Sequence, residues 1–189
     1  MGEFYDFEKD VERSNKPEVT KLFDAFYEKL KGYDTHHRYT KDMVAQRDYG
    51  TDVVLRFLDG RKITVDEKLG FNPDFVGSVV CEVKHEGVGG LCKGKEWVGW
   101  WKASHAEWIV YGWYNHRGGL EVDYFPFNGC VKTWFENNKS RFPLRRTKKA
   151  TQKKGNQWFT WFYPINIDTL KVAAVLKGYQ TKIVGGFWK

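Results

Sequence analysis

Three acidic residues and a lysine stand at the ends of two strand-like runs. Asp52 opens the first run, and Asp66, Glu67 and Lys68 close the second. Carboxylates in such runs are costly to bury unless they are paired, protonated or bound to a cation. Asp52 and Asp66, with Glu67 as a further candidate, therefore offer the oxygen ligands that Mg²⁺ or Mn²⁺ prefers. Lys68 shares the sheet face of Asp66, where it can orient a water nucleophile or stabilise charge on a phosphate.

The two runs form a hairpin whose register decides whether this site assembles. They are joined by Asp59-Gly60 and cover Thr51–Leu58 and Lys62–Lys68. A two-residue turn would place Asp52 opposite Glu67, with Asp66 and Lys68 on the other face. A three-residue loop with Gly60 in the left-handed conformation would place Asp52 opposite Asp66 and on the same face as Lys68. We predict the second register because only that one brings the metal ligands together.

The positive charge of the chain is concentrated in one segment, residues 137–156. The 189 residues carry 31 basic and 24 acidic side chains, a net charge of +7. The rest of the chain has 23 basic and 24 acidic side chains, so the excess of positive charge lies entirely within this segment. A basic block of this kind favours a polyanion as partner, although a solvated loop has the same composition. Its eight basic residues are Lys139, Arg141, Arg145, Arg146, Lys148, Lys149, Lys153 and Lys154.

Aromatic residues are unusually frequent and include nine tryptophans. Most are expected in the core, but Trp100 and Trp101 follow a glycine-rich stretch and precede Lys102. These two tryptophans are the better candidates among the aromatic residues for contact with a substrate, because aromatic faces stack on unpaired bases, and Lys102 is predicted to bind phosphate.

The order of elements predicts one domain, residues 1–189, of the α/β (α+β) class. An amphipathic helix (11–30) comes first, and residues 33–47 form a polar connector. Strands follow at 51–58, 62–68, 78–85, 106–114, 120–127 and 158–165, with a mobile loop at 87–99, a short helix at 130–138 and a last helix at 168–177. We expect a central mixed sheet flanked by helices, with the basic segment as a loop.

The order Asp52, hairpin, Asp66-Glu67-Lys68 resembles the PD-(D/E)xK nuclease core over about residues 46–114. It is also similar to small phage and bacterial proteins with Gly-x-Asp-Val and Val-Asp-Glu-Lys segments, followed by a further acid (here Glu82), a Gly-Trp pair and an aromatic strand. The resemblance implies a restriction-endonuclease-like fold in which Asp52 and Asp66 bind metal, Lys68 assists the nucleophile and Glu82 is an accessory ligand or nearby acid. Thr51 stands where the family pattern has proline.

A second motif frame uses Asp66 as the first acid and Glu82-Val83-Lys84 as the acid-x-lysine. We prefer the first frame because the hairpin pairs Asp52 with Asp66 directly. Either frame predicts an Mg²⁺- or Mn²⁺-dependent nuclease that hydrolyses phosphodiester bonds, with DNA as the favoured substrate.

The alternatives are a non-catalytic nucleic-acid-binding module and a phage-type protein-interaction factor. A duplex- or junction-cutting mode would favour a homodimer. The chain has no run of about 18 apolar residues, so no membrane span is expected. Three widely spaced cysteines indicate a reducing, cytoplasmic setting.

Overall fold

The computed structural model describes residues 5–6, 16–39, 50–70, 73–115, 117–147, 150–151 and 155–176. Within these ranges the helices are α1 Pro17–Tyr27, α2 Trp100–Ala103, α3 Lys132–Asn138 and α4 Ile167–Leu176. The strands are β1 Tyr5–Asp6, β2 Tyr33–Arg38, β3 Val53–Phe57, β4 Lys62–Gly70, β5 Ser78–Gly89, β6 Glu96–Val98, β7 Trp108–Tyr114, β8 Leu120–Pro126, β9 Arg145–Arg146, β10 Ala150–Thr151 and β11 Gln157–Asn166. No helix in these ranges is long and apolar enough to cross a membrane.

The strands form two sheets, and the fold is of the α+β class that the element order predicts. A mixed sheet has the order β2-β3-β4-β7-β8, in which β4 and β7 are parallel and the other neighbours are antiparallel. The second sheet has the order β1-β10-β11-β5-β6, with β9 also paired to β11. The expectation of one central sheet is therefore incomplete: β5 leaves the sheet of the hairpin and pairs along its whole length with β11.

Strand β7 lies inside the mixed sheet and is apolar on both faces. Ile109 and Tyr111 belong to a core between the two sheets, which also contains α4. Trp108 and Val110 point the other way, into a core beneath α1. A strand buried on both faces reads as a continuous apolar run rather than an alternating one, which explains the sequence of residues 108–114.

Helix α1 covers the second of these cores with one stripe of side chains. Val19, Phe23 and Tyr27 are buried at a spacing of four residues and pack with Leu55 and Val65 of the hairpin. This spacing is typical of an amphipathic helix on a sheet. The predicted start of the helix before Lys16 falls outside the described residues.

The hairpin has the register predicted from the three-residue loop. Val53 pairs with Val65, and the Phe57 amide donates to the Arg61 carbonyl over 3.0 Å. Gly60 has φ = +83°, which is the left-handed conformation that this loop needs and that glycine adopts without strain. The prediction of this register is confirmed.

Three segments that we expected to be irregular contain strands. The polar connector begins with β2, an edge strand on β3 with half-exposed side chains, so its composition shows no buried face. Within 87–99, β5 continues to Gly89 and returns as β6, which pairs with it. The basic segment is likewise not all loop, since β9 and β10 lie in it. The remaining predicted strands and helices 130–138 and 168–177 correspond to observed elements at shifted ends.

The core beneath the hairpin gives a stability prediction. Leu55 of β3 is fully buried, whereas Leu91 is 81% exposed. We expect Leu55→Ala to lower the free energy of unfolding by about 2–5 kcal/mol, because it removes apolar contacts and leaves a cavity, and the same change at Leu91 to alter it by less than about 0.5 kcal/mol. Urea unfolding of both variants measures this. Equal effects would contradict the assignment of Leu55 to the core.

Candidate functional site: a buried carboxylate cluster between the two sheets

The hairpin brings Asp52, Asp66 and Lys68 together on the face of the mixed sheet that meets the second sheet. Asp66 is only 1% exposed and Asp52 is half-buried. The Asp52 amide donates to the Val65 carbonyl over 2.8 Å, which holds β3 against β4 just beyond the regular ladder. The Asp52 Oδ2 accepts a 2.8 Å hydrogen bond from the amide of Glu67. Backbone groups of β4 therefore orient the Asp52 carboxylate beside Asp66.

Lys68 forms an ion pair with Asp66 inside this cluster. Its Nζ donates to Asp66 Oδ1 and lies 5.7 Å from the ring centroid of Trp100. The Trp100 ring is itself held by a 3.1 Å hydrogen bond from its Nε1 to the Val80 carbonyl of β5. Asp66 Oδ2 is buried and has no hydrogen-bond donor among the described residues. One oxygen of this buried carboxylate is thus paired with Lys68, and the other has no donor unless Asp52 or Asp66 is protonated.

The charges of the cluster act strongly on one another. Burial raises the pKa of Asp66 to about 7, against the lowering effect of Lys68. Asp52 raises it further through its charge and through a hydrogen bond that needs one of the two groups to be protonated. Burial lowers the pKa of Lys68, but the charges of Asp66 and Asp52 outweigh it, and the pKa is raised overall. Lys68 is therefore a cation at neutral pH, while Asp66 changes charge near that pH.

A β-bulge in β5 turns Glu82 toward the same region. Lys84 pairs with Trp161 and Glu82 with the next residue, Phe162, so that Val83 has no opposite partner. Burial raises the pKa of Glu82 to about 7, and Lys68 opposes this rise. Bulges commonly re-aim a side chain beside an active site, and this one puts Glu82 and Lys84 on opposite faces.

The backbone of α2 closes over Glu82. A Cβ atom at Gly99 would lie 2.3 Å from the Glu82 carbonyl oxygen, so only glycine fits there. The Gly-Trp pair of the sequence motif therefore has two parts in the structure: Gly99 permits the close approach, and Trp100 packs against Lys68.

The second motif frame is not brought together. Lys84 is half-exposed, and its Nζ pairs with Glu96 of β6 over 2.6 Å. The bulge directs it away from Glu82, so the structure assembles Asp52, Asp66 and Lys68 but leaves Lys84 outside.

The structure does not bring Glu67 to the cluster as a metal ligand, because consecutive residues of a strand point to opposite faces. Its Oε1 accepts a 2.6 Å hydrogen bond from Tyr27 of α1, and its Oε2 pairs with Arg38 of β2. Arg38 also binds Asp24 over 2.6 Å. The Glu67 side chain thus anchors β4 to α1 and β2, while its amide orients Asp52.

Two carboxylates are available for a metal ion. Among the described residues no three Asp, Glu, His or Cys side chains lie close enough together to form a metal group, so Glu82 is not a direct third ligand. Mg²⁺ is commonly held by one or two carboxylates, with water and phosphate oxygens completing its shell. The Asp66 oxygen that lacks a donor, beside the Asp52 carboxylate, fits such a site. We infer that Asp52 and Asp66 would hold the ion.

The predicted phosphate-binding residues are dispersed. Arg145 and Arg146 are exposed on β9 and point to opposite faces of the second sheet. Arg141 follows α3 and hydrogen-bonds Asn138 over 3.3 Å, and the Lys102 side chain is exposed at the end of α2. The other predicted residues, Lys148, Lys149, Lys153 and Lys154, lie outside the described part of the chain.

The structure places the two candidate tryptophans, Trp100 and Trp101, in different surroundings. Trp101 is fully buried against Phe127 and Phe135, with ring centroids 4.9 and 4.8 Å away, so it cannot contact a substrate. Trp100 does line the cluster. Sequence reasoning missed Tyr111, which is paired with Lys68 across β4 and β7 and whose hydroxyl lies 3.3 Å from the Val80 amide. Only its place in the aromatic strand could have indicated it.

Comparison of the chain with protein-family models, curated proteins and solved structures finds no match.

The pKa of Asp66 predicts how stability varies with pH. The carboxyl group binds a proton more tightly in the folded state (pKa about 7) than in the unfolded state (about 3.9), so its contribution to stability falls as the pH rises through this window. We expect Asp66→Asn to gain stability relative to wild type between pH 5 and pH 7.5, measured by chemical unfolding without metal.

Asp59→Asn is the matched control. Asp59 is exposed, and its backbone and side-chain hydrogen bonds to Arg61 lower its pKa, so it titrates below this window. Its difference from wild type should stay constant. A constant difference for Asp66→Asn as well would show that Asp66 does not titrate near neutral pH.

Proposed function

We propose that this protein is a metal-dependent nuclease that hydrolyses phosphodiester bonds in nucleic acid, with DNA as the favoured substrate. The observation that carries the proposal is the cluster on the hairpin: a buried Asp66 with one oxygen lacking a donor, Asp52 beside it and Lys68 on its other oxygen. Lys68 neutralises only part of the charge of these carboxylates, and a divalent ion would neutralise the rest.

The side chains have separate roles in this proposal. Asp52 and Asp66 hold Mg²⁺ or Mn²⁺, which when bound lowers the pKa of water and neutralises phosphate oxygens. Lys68 remains protonated and stabilises negative charge on the scissile phosphate. Glu82 has a pKa near 7, which suits a group that accepts or donates a proton. The resemblance to PD-(D/E)xK nucleases, which rests on the Asp, hairpin, Asp-x-Lys order, implies the same roles.

The basic residues fit the same substrate. Arg145 lies on the face of the second sheet that also carries Phe162 and its partner Glu82, so its guanidinium can contact a phosphate of a strand bound along that face. Such contacts position a nucleic acid without reading its sequence. They also offset the repulsion between the phosphates and the acidic pocket formed by Asp52, Asp66 and Glu82.

A second candidate function is a nucleic-acid-binding module that does not cleave. The observation in its favour is the pair of exposed arginines on β9, Arg145 and Arg146, which can contact phosphates whether or not a metal ion is bound. Binding by such a module would need the basic residues but neither metal nor Asp66.

Substitutions in the cluster test for catalysis. We expect Asp66→Asn and Lys68→Ala each to lower the rate of Mg²⁺- or Mn²⁺-dependent cleavage by about 100-fold or more, because each removes a charge that the transition state needs. A panel of duplex, single-stranded, branched and RNA substrates measures this, with thermal unfolding as a check on the fold.

Asp59→Asn, an exposed acid in the loop of the same hairpin, is the control and should cleave at the wild-type rate. Cleavage that persists in both cluster variants would exclude this site. Binding without cleavage on every substrate would favour the second candidate function.

The two arginines of β9 give a matched test of substrate binding. Arg145 shares the face of Phe162 and Glu82, whereas Arg146 lies on the other face, 4.2 Å from the ring centroid of Phe159. We expect Arg145→Ala to reduce the slope of log affinity against log salt concentration by about 0.7–0.9, the value for one phosphate contact, and Arg146→Ala to leave it unchanged. Equal slopes for both variants would show that Arg145 contacts the phosphates no more than Arg146 does.

A further inference from the structure

Three aromatic side chains form a continuous surface on the second sheet. His85 of β5 and Trp97 of β6 are paired residues, and their rings stack with centroids 5.3 Å apart and planes 24° from parallel. The ring centroid of Trp97 also lies 6.2 Å from that of Trp158, a residue of β11 that pairs with Gly87 of β5. We call His85, Trp97 and Trp158 the aromatic platform. Trp97 is 40% exposed, although a tryptophan is normally buried in large part.

The platform is continuous with the acidic pocket. His85 and Glu82 would point to opposite faces in a regular strand, because His85 is the third residue after Glu82 and side chains alternate. The bulge at Val83 brings them to one face, and His85 Nε2 lies 3.8 Å from Glu82 Oε2. His85 Nδ1 is also 2.9 Å from the Thr160 hydroxyl, which fixes the ring. The aromatic platform is therefore adjacent to the cluster around Lys68, with Glu82 and His85 as the neighbouring residues.

The charge around the platform suits a nucleic acid. Burial lowers the pKa of His85 to about 4, so the ring is neutral at physiological pH and its stack with Trp97 carries no ionic charge. Arg145 stands on the same face, with its guanidinium carbon 6.0 Å from the ring centroid of Phe75. An exposed aromatic surface with a cation on the same face of the sheet is a combination that binds the bases and phosphates of a single strand.

We propose that the aromatic platform stacks an unpaired base next to the acidic pocket, so that the preferred substrate is single-stranded or locally unpaired nucleic acid. The proposal rests on the proposed function for the class of ligand, and it deepens that function by naming the strand state. A paired base in a duplex has both of its faces covered by neighbouring bases and cannot stack on Trp97 without being extruded. The platform should therefore discriminate by strand state and tolerate any base.

Binding measured without metal tests the platform separately from catalysis. In EDTA, the wild-type protein, Trp97→Ala, Trp97→Phe and the control Val98→Ala are titrated with labelled single-stranded dT₁₂ and rU₁₂ and with a duplex of the same length. Val98 is the next residue of β6 and is also exposed. We expect Trp97→Ala to weaken single-strand binding about 5- to 150-fold and Trp97→Phe to restore most of it, because one base stack is lost and regained. Duplex binding and the Val98 variant should change less than twofold.

The outcomes separate this inference from the proposed function. Loss of single-strand affinity in Trp97→Ala without any metal-dependent cleavage by the wild type would support the platform and overturn the nuclease. Cleavage by the wild type with unchanged single-strand affinity in Trp97→Ala would overturn the platform alone. Tighter binding of the duplex than of both single strands, or an equal loss on duplex and single strands with an unaltered melting temperature, would also overturn it.

Discussion

The burial of one carboxylate, Asp66, constrains the arrangement around it. Asp66 lies on β4, an inner strand of the mixed sheet, and is only 1% exposed. The buried apolar side chains on this face belong to the core between the two sheets. Desolvation of this charge is unfavourable by several kcal/mol unless another charge or a proton compensates it. Lys68 supplies part of the compensation at one oxygen. The other oxygen, with Asp52 nearby, makes the cluster responsive to a proton or a divalent cation.

The mixed sheet separates two ionic arrangements that neighbouring residues of one strand create. Asp66 pairs with Lys68 on the face toward the second sheet, and Glu67 pairs with Arg38 on the face toward α1. Each buried acid thus has its own cation. The backbone of β4 links the two faces, because the Glu67 amide donates a hydrogen bond to the Asp52 carboxylate. Packing beneath α1 therefore contributes to the orientation of a carboxylate on the other side of the sheet.

The second sheet contributes side chains beside the carboxylate cluster because of one β-bulge. The bulge at Val83 presents Glu82 and His85 on the same face, and the hairpin β5–β6 then places Trp97 against His85. In a regular strand, Glu82 and His85 would lie on opposite faces. In the functions proposed above, the hairpin provides the charges for chemistry on a phosphate, and the second sheet provides the stacking surface and Arg145 for the rest of the strand.

Local rules were sufficient for much of this protein. The alternation of apolar residues located most strands, the Asp59-Gly60 turn predicted the hairpin, and the i, i+2 spacing put Lys68 on the face of Asp66. The turn residues allowed two registers, and only the expected metal site favoured the one that the structure has. These features depend on residues close together in the chain. The same rules also imply that Glu67 faces away from Asp66, which our candidate ligand set did not respect.

Only the tertiary structure decided the rest, because it depends on partners far apart in the sequence. The pairing of β5 with β11 created a second sheet, and its bulge selected Glu82 rather than Lys84 for the cluster. Packing against Phe127 and Phe135 buried Trp101, while Trp97 remained exposed on an edge strand. Composition and spacing are the same for a tryptophan in a core and one on a surface, so the burial of each was settled only by what the folded chain places beside it.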